Sequence, residues 1–170
     1  MKAIVLAAVA AIITAVTPVA AQAQDFTGAR IGVTGGYDDI QSREGFNYGV
    51  VVGVDAPVIK GVTLGVEATL EDSTTDTAGL DVSRDLGMNL RAGVAVLPKV
   101  QLFGKVGYAS TRFDLTGNTG HVNFEGLRYG AGVEYAVSKH TYATLEYRRS
   151  EYEDNLGGRD GVLAGVGFRF

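Results

Sequence analysis

The chain has no cysteine, so neither disulfides nor zinc–thiolate sites can hold its fold together. It has no excess of basic residues, with 15 Lys and Arg against 19 Asp and Glu, and this argues against a nucleic-acid partner. Beyond Phe26 no stretch keeps a helical apolar period long enough to define a helix. Stability must therefore come from packing, from closure of backbone hydrogen bonds, or from a membrane.

Long apolar runs are also missing, with one exception at the start. Lys2 precedes an unbroken apolar run from Ala3 to Ile13, followed by Pro18 and the small-residue pattern Ala21-Gln22-Ala23. The run falls short of the roughly 20 residues that a membrane helix needs. It reads instead as a secretory signal peptide over residues 1–23, leaving residues 24–170 as one domain. Without Lys2 the remaining 14 basic and 19 acidic side chains give a formal charge of −5.

What the sequence does have is glycine, 24 residues in 170, about twice the average usage. These glycines fall inside segments of strict alternation rather than in linkers, which points to one crowded face of a sheet. Eight such segments recur. In the first, Ala29, Ile31, Val33 and Tyr37 share a face opposite Arg30, Gly32, Thr34 and Gly36. The same alternation runs through 45–55, 62–71, 85–96, 102–110, 127–135 and 141–149, and ends in DGVLAGVGFRF, where Val162, Ala164, Val166, Phe168 and Phe170 share one side. Short connections around Pro57, Pro98 and Ser138-Lys139 alternate with longer polar ones, DDIQSREG, DSTTDTAGLDVSR, TRFDLTGNTGHVN and SEYEDNLGGRDG. This is the pattern of an all-β, eight-stranded antiparallel up-and-down transmembrane β-barrel.

The polar face decides between a soluble sandwich and a membrane barrel. It carries Arg30, Asp55, Glu67, Glu71, Asp85, Arg91, Lys105, Arg128, Glu134, Glu146, Arg148 and Arg169, six of each sign, interleaved with small residues. A narrow lumen has to be filled by such paired charges, whereas a solvated surface has no need of the balance. Counting back from the Pro98 turn places Arg91 opposite Lys105, and a Glu67–Arg91 ion pair completed by Lys105 and Glu146 is expected near the midplane. On the apolar face the rings gather toward strand ends. Tyr37, Phe46, Tyr48, Tyr108 and Tyr147 fall near the long connections, and Tyr135, Phe168 and Phe170 near the short ones, as two interfacial girdles.

Through the segments GARIGVTGGYD, LFGKVGYASTRF, LRYGAGVEYAVSKHTYATLEYRRSEY and the terminal GVGFRF, the chain resembles the small outer-membrane barrels of the OmpA, OmpX and opacity-protein type. That resemblance implies the cell outer membrane, contact with outer-membrane lipid and lipopolysaccharide, and a role in envelope integrity, adhesion or host contact through the long loops. It implies that Val166, Phe168 and Phe170 form the C-terminal signal read by the barrel assembly machinery. OmpA carries a peptidoglycan-binding domain after its barrel; here the sequence stops at Phe170, so no cell-wall tether is expected.

A narrow small-solute porin is the alternative function, and a lipid-modifying enzyme a third. A lipid A deacylase of this shape would show a His-x-Ser pair, but the histidines stand in His121-Val122-Asn123 and His140-Thr141-Tyr142. No catalytic residue, cofactor or metal ligand is assigned. The acids Asp72, Asp76 and Asp81 match no calcium-loop template, and Gly130-Ala131-Gly132 and Gly165-Val166-Gly167 precede no helix that could cradle a phosphate.

Overall fold

The computed structural model describes residues 26–40, 43–73, 76–77, 80–115, 121–152 and 158–170. The expected signal peptide lies outside them. The strands are β1 (Gly28–Ile40), β2 (Arg43–Ile59), β3 (Val62–Ser73), β4 (Asp76–Thr77), β5 (Leu80–Leu97), β6 (Val100–Leu115), β7 (His121–Ala136), β8 (Thr141–Tyr152) and β9 (Gly158–Arg169). Eight are staves of a barrel; β4 is a two-residue strand paired only with the start of β5.

Each stave pairs antiparallel with its neighbours in the chain, β3 pairing across to β5, and β1 pairs with β9 from Arg30↔Arg169 to Ile40↔Arg159. The last pairing closes the sheet on itself. Hydrocarbon offers no partner to a free amide or carbonyl, so a sheet crossing it must have no edge. Three tight turns lie at one end, and Gly61 in the first of them has φ 81°, a left-handed conformation that residues with a Cβ rarely adopt.

Two features differ from the sequence reading. The polar connection DDIQSREG is mostly strand, with β1 reaching Ile40 and β2 resuming at Arg43. Likewise β6 continues to Leu115 and β7 starts at His121, deep inside TRFDLTGNTGHVN. Polarity does not end a hairpin, because ladder hydrogen bonds form equally well above the bilayer. A crossing needs about 9–11 residues. With 18, 16 and 16 residues, β5, β6 and β7 are long enough to project beyond it.

Among the described side chains, inward and outward positions alternate along the staves. In β9, Gly161, Leu163, Gly165, Gly167 and Arg169 are buried, while Val162, Ala164, Val166 and Phe168 are exposed. The outward face is the inverse of a soluble core, with Val33, Val52, Leu64, Leu90, Val106 and Leu145 all exposed where acyl chains would cover them.

Candidate functional site

Among the described residues the lumen is where polar chemistry is most concentrated. At its foot, by the tight turns, Phe26 is fully buried against Ala95 and Ala136. Beside this plug Gln101 Nε2 donates to Thr63 Oγ1 at 3.0 Å, and Arg169 Nη1 donates to the Phe26 carbonyl at 2.9 Å.

Above the plug, Asp55 accepts from three guanidinium groups: Arg30 Nε at 2.8 Å, Arg169 Nη1 at 2.9 Å and Arg91 Nη1 at 3.3 Å. Glu134 accepts from Arg169 Nη2 at 2.7 Å and Arg91 Nη2 at 2.8 Å. The next layer centres on Glu67, which accepts from Arg30 Nη2 at 2.6 Å and Lys105 Nζ at 2.7 Å, while Lys105 also meets Glu146 at 2.6 Å. Toward the loop end, Glu71 pairs with Arg148 at 2.6 Å and Asp85 with Arg128 at 2.6 Å. Arg159 bridges Asp85 and Asp38.

All twelve charged residues of the sequence-derived set lie in this network, but one expected pair does not form. Arg91 bonds Asp55 and Glu134, and Glu67 bonds Arg30 and Lys105. The register gives the reason. Arg91 does stand opposite Lys105, as counted from the Pro98 turn, but across β3–β5 it faces Gly65, while Glu67 faces Asn89. The connection between β3 and β5 is long, so its length could not fix that register.

Glycine explains how pairs form across an intervening strand. Gly65 sits between Asp55 on β2 and Arg91 on β5, and a Cβ there would collide with the Asp55 carboxylate. Gly53 sits in the same way between Arg30 and Glu67, where a Cβ would stand 3.1 Å from Arg30 Nη2 and 2.8 Å from the Val66 carbonyl. Gly53→Ala should therefore lower barrel stability by about 1 to 3 kcal/mol through overpacking. Urea unfolding in phospholipid vesicles measures it; an unchanged midpoint would contradict the packing role assigned to this glycine.

Several lumen residues escaped the sequence reading, Gln101 and Phe103 of β6 among them. Asp38 and Arg159 stand in stretches rich in turn residues, and Phe26 precedes the first alternating run. Rings also join the charges, with the Arg91 guanidinium 4.2 Å from the Phe103 centroid and that of Arg169 5.5 Å from Tyr142. The open space at mid-lumen, between Glu67, Lys105, Glu146, Thr34 and Tyr142, amounts to about 30 Å³. That is room for a few waters.

Outside, Tyr37 packs edge-on against Phe46 at 5.7 Å, and Phe46 stacks on Tyr48 at 6.3 Å. Tyrosine hydroxyls on this face reach carboxylates on the neighbouring strand: Tyr147 to Asp160 at 2.6 Å, Tyr129 to Glu151 at 2.9 Å and Tyr48 to Asp72 at 3.3 Å. A ring in hydrocarbon with its hydroxyl turned to a wet carboxylate is the arrangement an interface favours. At the turn end Tyr135, Val166, Phe168 and Phe170 are exposed, and the Phe170 amide donates to the Ala29 carbonyl at 2.8 Å. His140 lies beside the β7–β8 turn with Nδ1 3.3 Å from the Arg169 carbonyl oxygen. His121 begins β7 at the opposite end of that strand.

Among solved structures the barrel is similar to Ail, the attachment invasion locus protein of Yersinia pestis, with TM-score 0.60 and 15% identity over 85% of this chain and 97% of that one. It is similar to Neisserial surface protein A, with TM-score 0.58 and 16% identity over 84% and 96% of the two chains. The outer membrane enzyme PagL matches with TM-score 0.53 and 15% identity over 83% and 99%. At such identities the likeness is one of fold. No curated protein matches the sequence. Residues 6–170 match the family described as outer membrane protein beta-barrel domain. The chain belongs to that family, and its place is the cell outer membrane.

Proposed function

We propose that this protein acts as a structural and surface-interaction barrel, serving envelope integrity, adhesion or host contact through its loop end. The observation that carries this reading is the filled lumen. Among the described residues its charges are paired from foot to loop end, and the mid-lumen opening measures only about 30 Å³, room for a few waters. A solute path would require breaking several charge-assisted hydrogen bonds at once, each worth more than a neutral one. What is left to act is the outside, where β5, β6 and β7 have the length to reach past the bilayer.

Catalysis finds less support, although PagL shares the fold. A hydrolase needs its base within hydrogen-bond reach of a nucleophile. Here the two histidines stand at opposite ends of the barrel, one starting β7 and one beside the β7–β8 turn.

Three measurements test the proposal. Purified barrel in planar bilayers should give no stable conductance of porin size, and lipid A from cells producing it should have an unchanged mass spectrum. Cells producing the barrel should adhere to host-cell or matrix surfaces more than cells in which residues 116–120 and 153–157 are replaced by Gly-Ser linkers. A steady porin-sized current would favour the channel reading instead, and a lipid A mass loss the enzymatic one.

A further inference from the structure

The three tight turns at one end share a composition that the barrel itself does not require. Each carries one exposed lysine, Lys60 after Ile59, Lys99 after Leu97-Pro98, and Lys139 after Val137-Ser138. None of the three has an ion-pair partner among the described residues, in contrast to the paired cations of the lumen. No aspartate or glutamate side chain of the described residues faces outward at this end, because Asp55 and Glu134 are turned inward and buried.

Ile59, Leu97 and Val137 are all at least half exposed, so each lysine stands one or two residues beyond an apolar side chain on the same rim. In a bilayer such a residue lies among acyl chains while the lysine stem runs along it and lifts the ammonium to the headgroups. Short turns of outer-membrane barrels face the periplasm. The headgroups at that level therefore belong to the inner leaflet.

We infer that Lys60, Lys99 and Lys139 form a binding rim for anionic phospholipid headgroups, with phosphate as the recognised group and the adjoining apolar side chains seating the acyl chains. This surface is independent of what the loops contact. A basic residue close to an anionic membrane surface gains roughly fivefold in association, and the gain is screened by salt. The carboxylates of the cell-wall polymer would satisfy the ammonium groups too, but they would leave Ile59, Leu97 and Val137 without a partner. The alternation of apolar residue and lysine favours lipid.

The test uses the full barrel in phosphatidylcholine nanodiscs containing spin-labelled phosphatidylglycerol or spin-labelled phosphatidylcholine. The motionally restricted fraction of each label gives their relative association. The wild type should prefer phosphatidylglycerol by about fivefold or more at low salt. The triple variant Lys60→Gln, Lys99→Gln, Lys139→Gln should bring the ratio close to one while keeping the boiling-dependent gel shift of a closed barrel. Equal ratios in wild type and variant would overturn the inference. So would a wild type indifferent to phosphatidylglycerol that binds soluble muropeptides in a lysine-dependent manner, which would assign the rim to the cell wall.

Discussion

Asp55→Ala should destabilise the folded barrel by about 3 to 5 kcal/mol, the largest loss expected from any single lumen substitution. This carboxylate is the meeting point of Arg30, Arg91 and Arg169, and its own side chain is fully enclosed. Removing it leaves Glu67 to hold Arg30, and Glu134 alone to hold both Arg91 and Arg169. Buried cations without enough counter-charge lose more than the pair ever contributed, because they have already left water. Combined with Arg91→Met, the cost should fall short of the sum of the two single changes by about 1 to 3 kcal/mol. Equilibrium urea unfolding in vesicles gives all four corners of the cycle. Additivity within about 0.5 kcal/mol would mean that this layer is solvated and the charges are independent.

Phe170→Asp should lower the amount of protein recovered in the outer membrane far more than Phe46→Leu. Phe170 exposes 79% of its surface toward the lipid side, and its amide extends the seam by bonding the Ala29 carbonyl. The aspartate removes about 2 kcal/mol of ring burial in the bilayer and, with it, the terminal ring of the proposed assembly signal. Phe46 exposes 43% and keeps its neighbours Tyr37 and Tyr48, so a leucine there changes little. Immunoblots of fractionated membranes compare the variants. Equal outer-membrane levels would remove any special role from the terminal ring.

Much of this architecture was legible because period-2 patterning is a local property. One face of each strand meets hydrocarbon and the other a crowded lumen, so Val66 next to Glu67, or Leu90 next to Arg91, already states which way each points. A tight turn transmits register as well, and for that reason Arg91 opposite Lys105 could be counted from Pro98. Long connections carry no such ruler. The partners of Glu67 and Arg91 depended on the β3–β5 offset, which the long connection leaves to side-chain packing across the sheet. Asp38 and Arg159 were hidden for a related reason. Their surroundings are polar on both faces, and alternation vanishes once a strand leaves the bilayer even though its hydrogen bonds continue. Phe26 belongs to no strand, so no pattern announces that it plugs the foot.

The seam between β1 and β9 has a kinetic meaning. Every other stave pairing joins staves that follow one another along the chain and are linked by a single connection. The seam joins Arg30 to Arg169, and the Arg169–Phe26 hydrogen bond spans 143 residues. Contacts of such separation repay their loop entropy late, since each doubling of the loop costs about 0.6 kcal/mol. Hairpins such as β5–β6 and β7–β8 can form first and leave two open edges, exposed to whatever strand comes near. The closing event is thus the step at which an outside template can act, and the rate of insertion should depend on residues near the ends of the chain more than on the mid-barrel charges that dominate final stability.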